Sequence, residues 1–150
     1  MHRIMGLDIG DKRIGVAISD PTQILASPLK TIVRKDDESA VLEISELVKQ
    51  YAVGRLVIGL PYLMDGSVGE QARKALDFSA GIKERIAVEI VMQDERLTSV
   101  TAGQMLREAG KKKERLKKEI DAAAATVILQ AHLDEISDDG RISQQEPPSL

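Results

Sequence analysis

Residues 3–19, RIMGLDIGDKRIGVAIS, place apolar side chains at alternate positions in two short runs joined by Gly-Asp-Lys-Arg. A period of two is the period of a strand, and the two runs read as a β-hairpin. Met5, Leu7 and Ile9 then share one face, and Ile4, Gly6 and Asp8 the other. A carboxylate inside such a strand costs several kcal/mol if it is desolvated alone, so Asp8 needs a partner, a capping role or a metal. Hydrogen bonding to its own hairpin turn would satisfy it as well as a functional site would.

The rest of the chain fixes the class of fold. A third extended stretch, about Ile24 to Val33, is interrupted by Pro28 and is expected at an edge or a bulge. In DDESAVLEISELVKQY the period changes: Val41, Ile44, Val48 and Tyr51 fall on one helical face, with Asp36 or Asp37 at the cap. RLVIGL is the almost wholly apolar run of a strand buried on both faces. A helix around Gln71 to Glu84, a strand AVEIVMQ, a helix around Ser99 to Glu108 and a last helix from about Glu119 to Ile136 follow. Strands first, then alternating helices and strands, predict an α/β domain whose mixed sheet is antiparallel at the start and parallel afterwards. One domain over residues 1–136 and a polar, flexible tail over residues 137–150 account for all 150 residues.

Composition removes several function classes. The chain has no cysteine, which excludes disulfide frameworks, thiol nucleophiles and cysteine-ligated metals. Aromatic residues make up only 2%, too few for a base-stacking platform. No GxSxG or GxxxxGK[ST] sequence occurs. Without a secretory signal or an apolar run of about 18 residues, the expectation is a cytoplasmic protein with no membrane partner. The net charge is −3, yet KKKERLKK, residues 111–118, is basic at six of eight positions.

Two further acids stand in awkward places. Glu95, in VMQDERLTS, follows an apolar strand at the carboxyl end, where ligands of parallel sheets collect; alternatively Asp94 or Glu95 merely starts the next helix, with Thr98 or Ser99 as its cap. Asp121, in KKEIDAAAATVILQAH, shares a helical face with Ala125, Ile128 and His132. It reads equally as a favourable acid in a first helical turn. Three acids at a strand centre, a strand end and a packed helix start can converge in an α/β domain, and an oxygen-only set of this kind suits Mg2+ or Mn2+. Two such ions activate water and stabilise the leaving oxygen of a phosphodiester.

Four stretches in order, GLDIGDKRIGVAISD, VIGLPYLMDGSVGEQA, DERLTS and KKEIDAAAATVILQ, resemble the YqgF family of pre-16S rRNA nucleases, also described as Holliday-junction resolvase-like proteins. The resemblance runs from about Ile4 to Ile136. It implies an RNase H-like fold with a five-stranded mixed sheet flanked by helices, and it puts metal-binding, catalytic acids at Asp8, Glu95 and Asp121. It also implies phosphodiester hydrolysis in 5′-end maturation of 16S rRNA, with resolvase activity proposed from kinship with RuvC-type enzymes. Those enzymes carry four acids in such a site, whereas three are assigned here. Asp11 stands where threonine is common in the family and adds negative charge near the acids.

Around this centre, Lys12, Arg13 and Arg96 are candidates to hold phosphates, although Lys12 alone reads better as a solvated turn charge. Lys111, Lys112, Lys113, Arg115, Lys117 and Lys118 suit tracking of a nucleic-acid backbone, or else form a solvated helix face. Gly59, Pro61, Asp65 and Gly66 form a candidate substrate loop after the fourth strand, where Asp-Gly is also an ordinary turn signal. Expected partners are precursor rRNA or branched DNA, with ribosomal particles a further candidate, for a monomer or homodimer. Two other readings stand beside the nuclease: a non-catalytic nucleic-acid-binding module, and an ATP-binding domain, since DIGDKRIG also resembles the phosphate hairpin of the actin and sugar-kinase superfamily. That superfamily duplicates its domain, and this chain has no room for the second half.

Overall fold

A computed structural model describes residues 2–61, 65–94 and 122–137. The hairpin forms as its alternation requires, with β1 at Arg3–Ile9 and β2 at Arg13–Ser19. Five antiparallel pairs join them, from Met5–Ile18 to Ile9–Ile14. β3 spans Ala26–Val33 and takes the edge of the sheet. Its register shifts between Val16 and Ala17, opposite Lys30 and Pro28; proline lacks the N–H that a regular interior rung needs, so both the edge and the bulge follow from Pro28.

Helix α1 covers Asp37–Gln50, and its cap is Asp36, whose side chain accepts from the Ser39 N–H at 2.7 Å. Ala40, Val41, Ile44, Leu47 and Val48 are its buried stripe, while Tyr51 closes the helix at its C-cap and is only partly buried. β4 is Val53–Leu60, α2 is Glu70–Arg85 and β5 is Glu89–Asp94. β5 starts two residues later than the AVEIVMQ run suggests, because its first partner in β4 is Arg55, which pairs with Glu89 in register and through an ion pair of 3.0 Å. Residues 122–137 are helical and are called α3 here. The helix expected around Ser99 to Glu108, like residues 138–150, lies outside the described residues.

The sheet order is β3-β2-β1-β4-β5. β1 is antiparallel to β2 and parallel to β4, and β4 is parallel to β5, so the expected change from antiparallel to parallel occurs across β1. One core lies between the sheet and α1 and α2, with Met5, Leu7, Ile14, Val16, Leu56, Ile58 and Phe78 among its members. On the other face Ile4, Ala17 and Val57 pack against Ala125, Ile128, Leu129 and Leu133 of α3. Among the described residues no helix is long and apolar enough to cross a membrane.

Candidate active site

Asp8 is the sixth residue of β1 and pairs with Gly15 of β2. On its other side Leu7 pairs with Ile58, so the next residue of β4 is Gly59. Strand alternation puts Asp8 on the face of Ile4 and Gly6, the face that α3 covers. The carboxylate is only partly buried while Leu7 and Ile14 are fully buried. Glycine on both neighbouring strands leaves it without a flanking side chain on the sheet.

The packing of α3 gives that face its direction. A Cβ on Gly6 would lie 2.7 Å from Leu129 Cβ and 2.9 Å from the Ala125 carbonyl oxygen, so the helix rests almost on the strand. Farther along α3, Gln130 accepts from the Ala26 N–H at 2.9 Å and donates to the Ile24 carbonyl at 3.0 Å. Ile136 and Ser137 share a cavity with Thr22, Gln23 and Arg55. The helix therefore ends near the start of β1, and its first described turn, with Ala122 to Ala125, lies toward Asp8.

β5 obeys the same alternation. Val91 and Gln93 pair with Val57 and Gly59, and Gln93 Nε2 donates to Glu135 of α3 at 3.1 Å. Asp94, the last residue of β5, pairs with Leu60, on the face toward α1 and α2. Glu95 and Asp121, the other two candidate ligands, lie outside the described residues. Among the described residues no group of three or more metal-ligating side chains occurs; Asp8 has the oxygen chemistry for Mg2+ or Mn2+ but does not make a site by itself.

Lys12 is exposed at the tip of the hairpin, and Arg13, partly buried, shares the face of Gly15 and Asp8. Arg96 and the basic positions Lys111, Lys112, Lys113, Arg115, Lys117 and Lys118 lie outside the described residues. In the candidate loop, Gly59 is buried in β4 and Pro61 follows it. The Asp65 carboxylate accepts from the Ser67 N–H at 2.9 Å and the Ser67 hydroxyl at 2.6 Å, and Gly66 has φ 88°. Asp-Gly here builds a turn that requires glycine.

Several charged contacts had no signal in the sequence. Asp11 directs its charge to α2, where Lys74 Nζ lies 3.1 Å away and Gln71 Nε2 3.5 Å. The Lys74 hydrogen bond, then that of Gln71, holds the Asp11 carboxyl below its ordinary value. Arg34 donates from Nη1 to the Gly10 carbonyl at 2.8 Å, pairs with Asp37 at 2.9 Å and lies over the Phe78 ring at 4.8 Å. Asp20 is pushed down to about 2 by the Thr22 hydroxyl and the N–H groups of Leu25 and Ile24. Arg55 Nη1 lies 3.3 Å from His132 Nε2; a guanidinium only donates, so Nε2 accepts and the imidazole is neutral. Burial, then the Arg55 charge, lowers the His132 pKa. These partners are 2 to 77 positions apart in the chain, and those across different elements carry no periodicity that a sequence could betray.

A family model described as RuvX, Holliday junction resolvase, matches residues 2–135. The chain is 46% identical over 134 residues to a Clostridium acetobutylicum protein named "Putative pre-16S rRNA nuclease", covering 89% of this chain and 99% of that one. A Clostridium botulinum protein of the same name is 46% identical over 135 residues, with 90% and 98% covered. Among solved structures, Thermus thermophilus RuvC in complex with a Holliday junction substrate superposes with a TM-score of 0.55 at 13% identity, covering 89% of this chain and 96% of that one. The fowlpox virus Holliday junction resolvase gives 0.54 at 13% identity, covering 89% and 99%. At such identities the likeness is one of fold, and the fold is RNase H-like.

Proposed function

The chain belongs to the RuvX family, also called YqgF, and from that premise we propose a metal-dependent nuclease that hydrolyses phosphodiester bonds of structured nucleic acid in 5′-end maturation of 16S rRNA. The observation that carries this reading is Asp8, a partly buried carboxylate on the sheet face where Ile4, Ala17 and Val57 pack against α3, with glycine on both neighbouring strands and the first described turn of α3 toward it. Glu95 has the same odd-numbered parity as Val91 and Gln93, which share Asp8's face. Asp121 directly precedes the described part of α3, four positions before Ala125 in the sequence. Both are thereby the natural companions of Asp8.

In this reading Asp8 is the central ligand, with Glu95 and Asp121 completing an oxygen shell for Mg2+ or Mn2+. The chemistry such an ion supplies is polarisation of the phosphoryl group and activation of water at neutral pH. Arg13 on the Asp8 face, with Lys12 and Arg96, would hold the scissile and flanking phosphates in place. The basic positions from Lys111 to Lys118 would carry the neighbouring backbone, giving a binding strength that falls with salt. The setting is the cytoplasm and the favoured partner precursor rRNA, free or in ribosomal particles. One domain over residues 1–136 suffices for a single cut.

The description of the matching family favours one second reading, cleavage of a four-way DNA junction, which needs two cuts related by symmetry and hence a homodimer. Purified protein with Mn2+ should cut RNA carrying the 5′ leader of 16S rRNA faster than a four-way DNA junction. Asp8→Asn, Glu95→Gln and Asp121→Asn should each abolish cleavage while leaving binding near that of the wild type. Equal cleavage by all three variants would refute the site, and nucleic-acid binding without cleavage by the wild type would make the chain a binding module.

A further inference from the structure

The hairpin that follows Asp8 has its last strand pair at Ile9–Ile14. Beyond it the chain turns through Gly10, Asp11 and Lys12. Within the hairpin the turn is closed by one backbone bond, from the Gly10 N–H to the Arg13 carbonyl at 2.9 Å. Gly10 tolerates no side chain, since a Cβ there would sit 2.6 Å from that same carbonyl oxygen. A turn this tight, two residues from a candidate ligand, needs support from outside the hairpin if Asp8 is to keep a fixed position.

Arg34 supplies that support from three directions. Its backbone N–H donates to the Lys12 carbonyl at 2.9 Å, extending the β2–β3 ladder to the tip of the turn. Its Nη1 donates to the Gly10 carbonyl at 2.8 Å. The remaining edge of the guanidinium, Nε and Nη2, is taken up by Asp37 in the first turn of α1 at 2.9 Å. Its plane lies 4.8 Å from the centroid of Phe78, which is itself buried in α2. The side chain is 14% exposed, so it is spoken for on every side, and nothing in its geometry offers it to a phosphate.

We propose that Arg34 is a positioning residue for the nuclease centre: it clamps the Gly10–Lys12 turn to α1 and α2 and so fixes the end of β1 that carries Asp8. The proposal rests on the nuclease reading for the role of Asp8, but the clamp stands on contacts independent of it. Lysine cannot replace arginine here, because a single ammonium cannot donate to Gly10 and to Asp37 in a fixed fork while stacking on Phe78. A residue that positions a ligand without touching substrate affects turnover and metal affinity rather than substrate binding.

The test compares wild type and Arg34→Lys in the full chain by three readouts: amide exchange of Gly10, Mn2+ affinity by calorimetry without nucleic acid, and kcat against KM for RNA cleavage. In the variant Gly10 exchange should speed up, while Mn2+ affinity and kcat fall roughly tenfold to a hundredfold with KM unchanged. Wild-type kcat together with wild-type Gly10 exchange in Arg34→Lys would overturn the proposal, as would a rise in KM with kcat unchanged. If the wild type itself bound no Mn2+, the nuclease reading would fall separately, and faster Gly10 exchange in the variant would still uphold the clamp. Should Arg34→Lys fail to fold, Asp37→Asn releases the exposed edge of the guanidinium and should shift the same readouts in the same direction.

Discussion

His132 is 6% exposed and accepts from Arg55 at 3.3 Å, so folding holds it neutral, and the sign of its pH effect follows. The unfolded imidazole takes up a proton near its ordinary value of 6.5, whereas the folded one resists to lower pH. Between the two values the unfolded chain binds more protons, and stability therefore falls as the pH drops below about 6.5. Urea unfolding from about pH 7 to about pH 5 should show this loss in the wild type and a shallower loss in His132→Gln; parallel slopes would contradict it. At this scale the sequence was informative only where a residue broke a local pattern. Asp8 stood out because a carboxylate interrupted an alternating strand, and Asp36 because capping is a local signal. Arg34, Lys74 and Arg55 broke no pattern, since their partners Gly10, Asp11 and His132 lie 24, 63 and 77 positions away.

At the scale of elements, the contact between α3 and β1 sets the shape of the site. Gly6 faces Leu129 Cβ and the Ala125 carbonyl, both closer than 3.0 Å to where a Cβ would stand. Neither atom is the free end of a side chain, so Gly6→Ala must push the helix away from the sheet. Overpacking of this kind costs about 1–3 kcal/mol. Gly81→Ala is the control: a Cβ there would meet nothing within 4 Å, and alanine suits the interior of α2 better than glycine, so it should cost nothing. Urea midpoints of the two variants measure the difference, and equal midpoints would refute the close contact. Small alanines follow Asp121 and let this end of the helix approach the sheet, and the Pro28 interruption announced the edge strand. The sheet order was less accessible, because period-two and 3.6-residue patterns tell which face is apolar but not which strands become neighbours.

For the whole molecule, one feature unites fold and function. The sheet changes from antiparallel to parallel across β1, and Asp8 stands near the carboxyl end of that strand, with β2 and β4 contributing Gly15 and Gly59 beside it. In the proposed site Glu95 and Asp121 join Asp8 at this corner, a reading that membership of the RuvX family, the RNase H-like fold and the direction of α3 support. Convergence of the three acids is the central claim, and crystals soaked in Mn2+ test it most directly. The anomalous difference map should show manganese within about 2.0–2.3 Å of carboxylate oxygens from Asp8, Glu95 and Asp121. A map with no peak at Asp8, or with an ion there and the other two carboxylates out of reach, would contradict the claim.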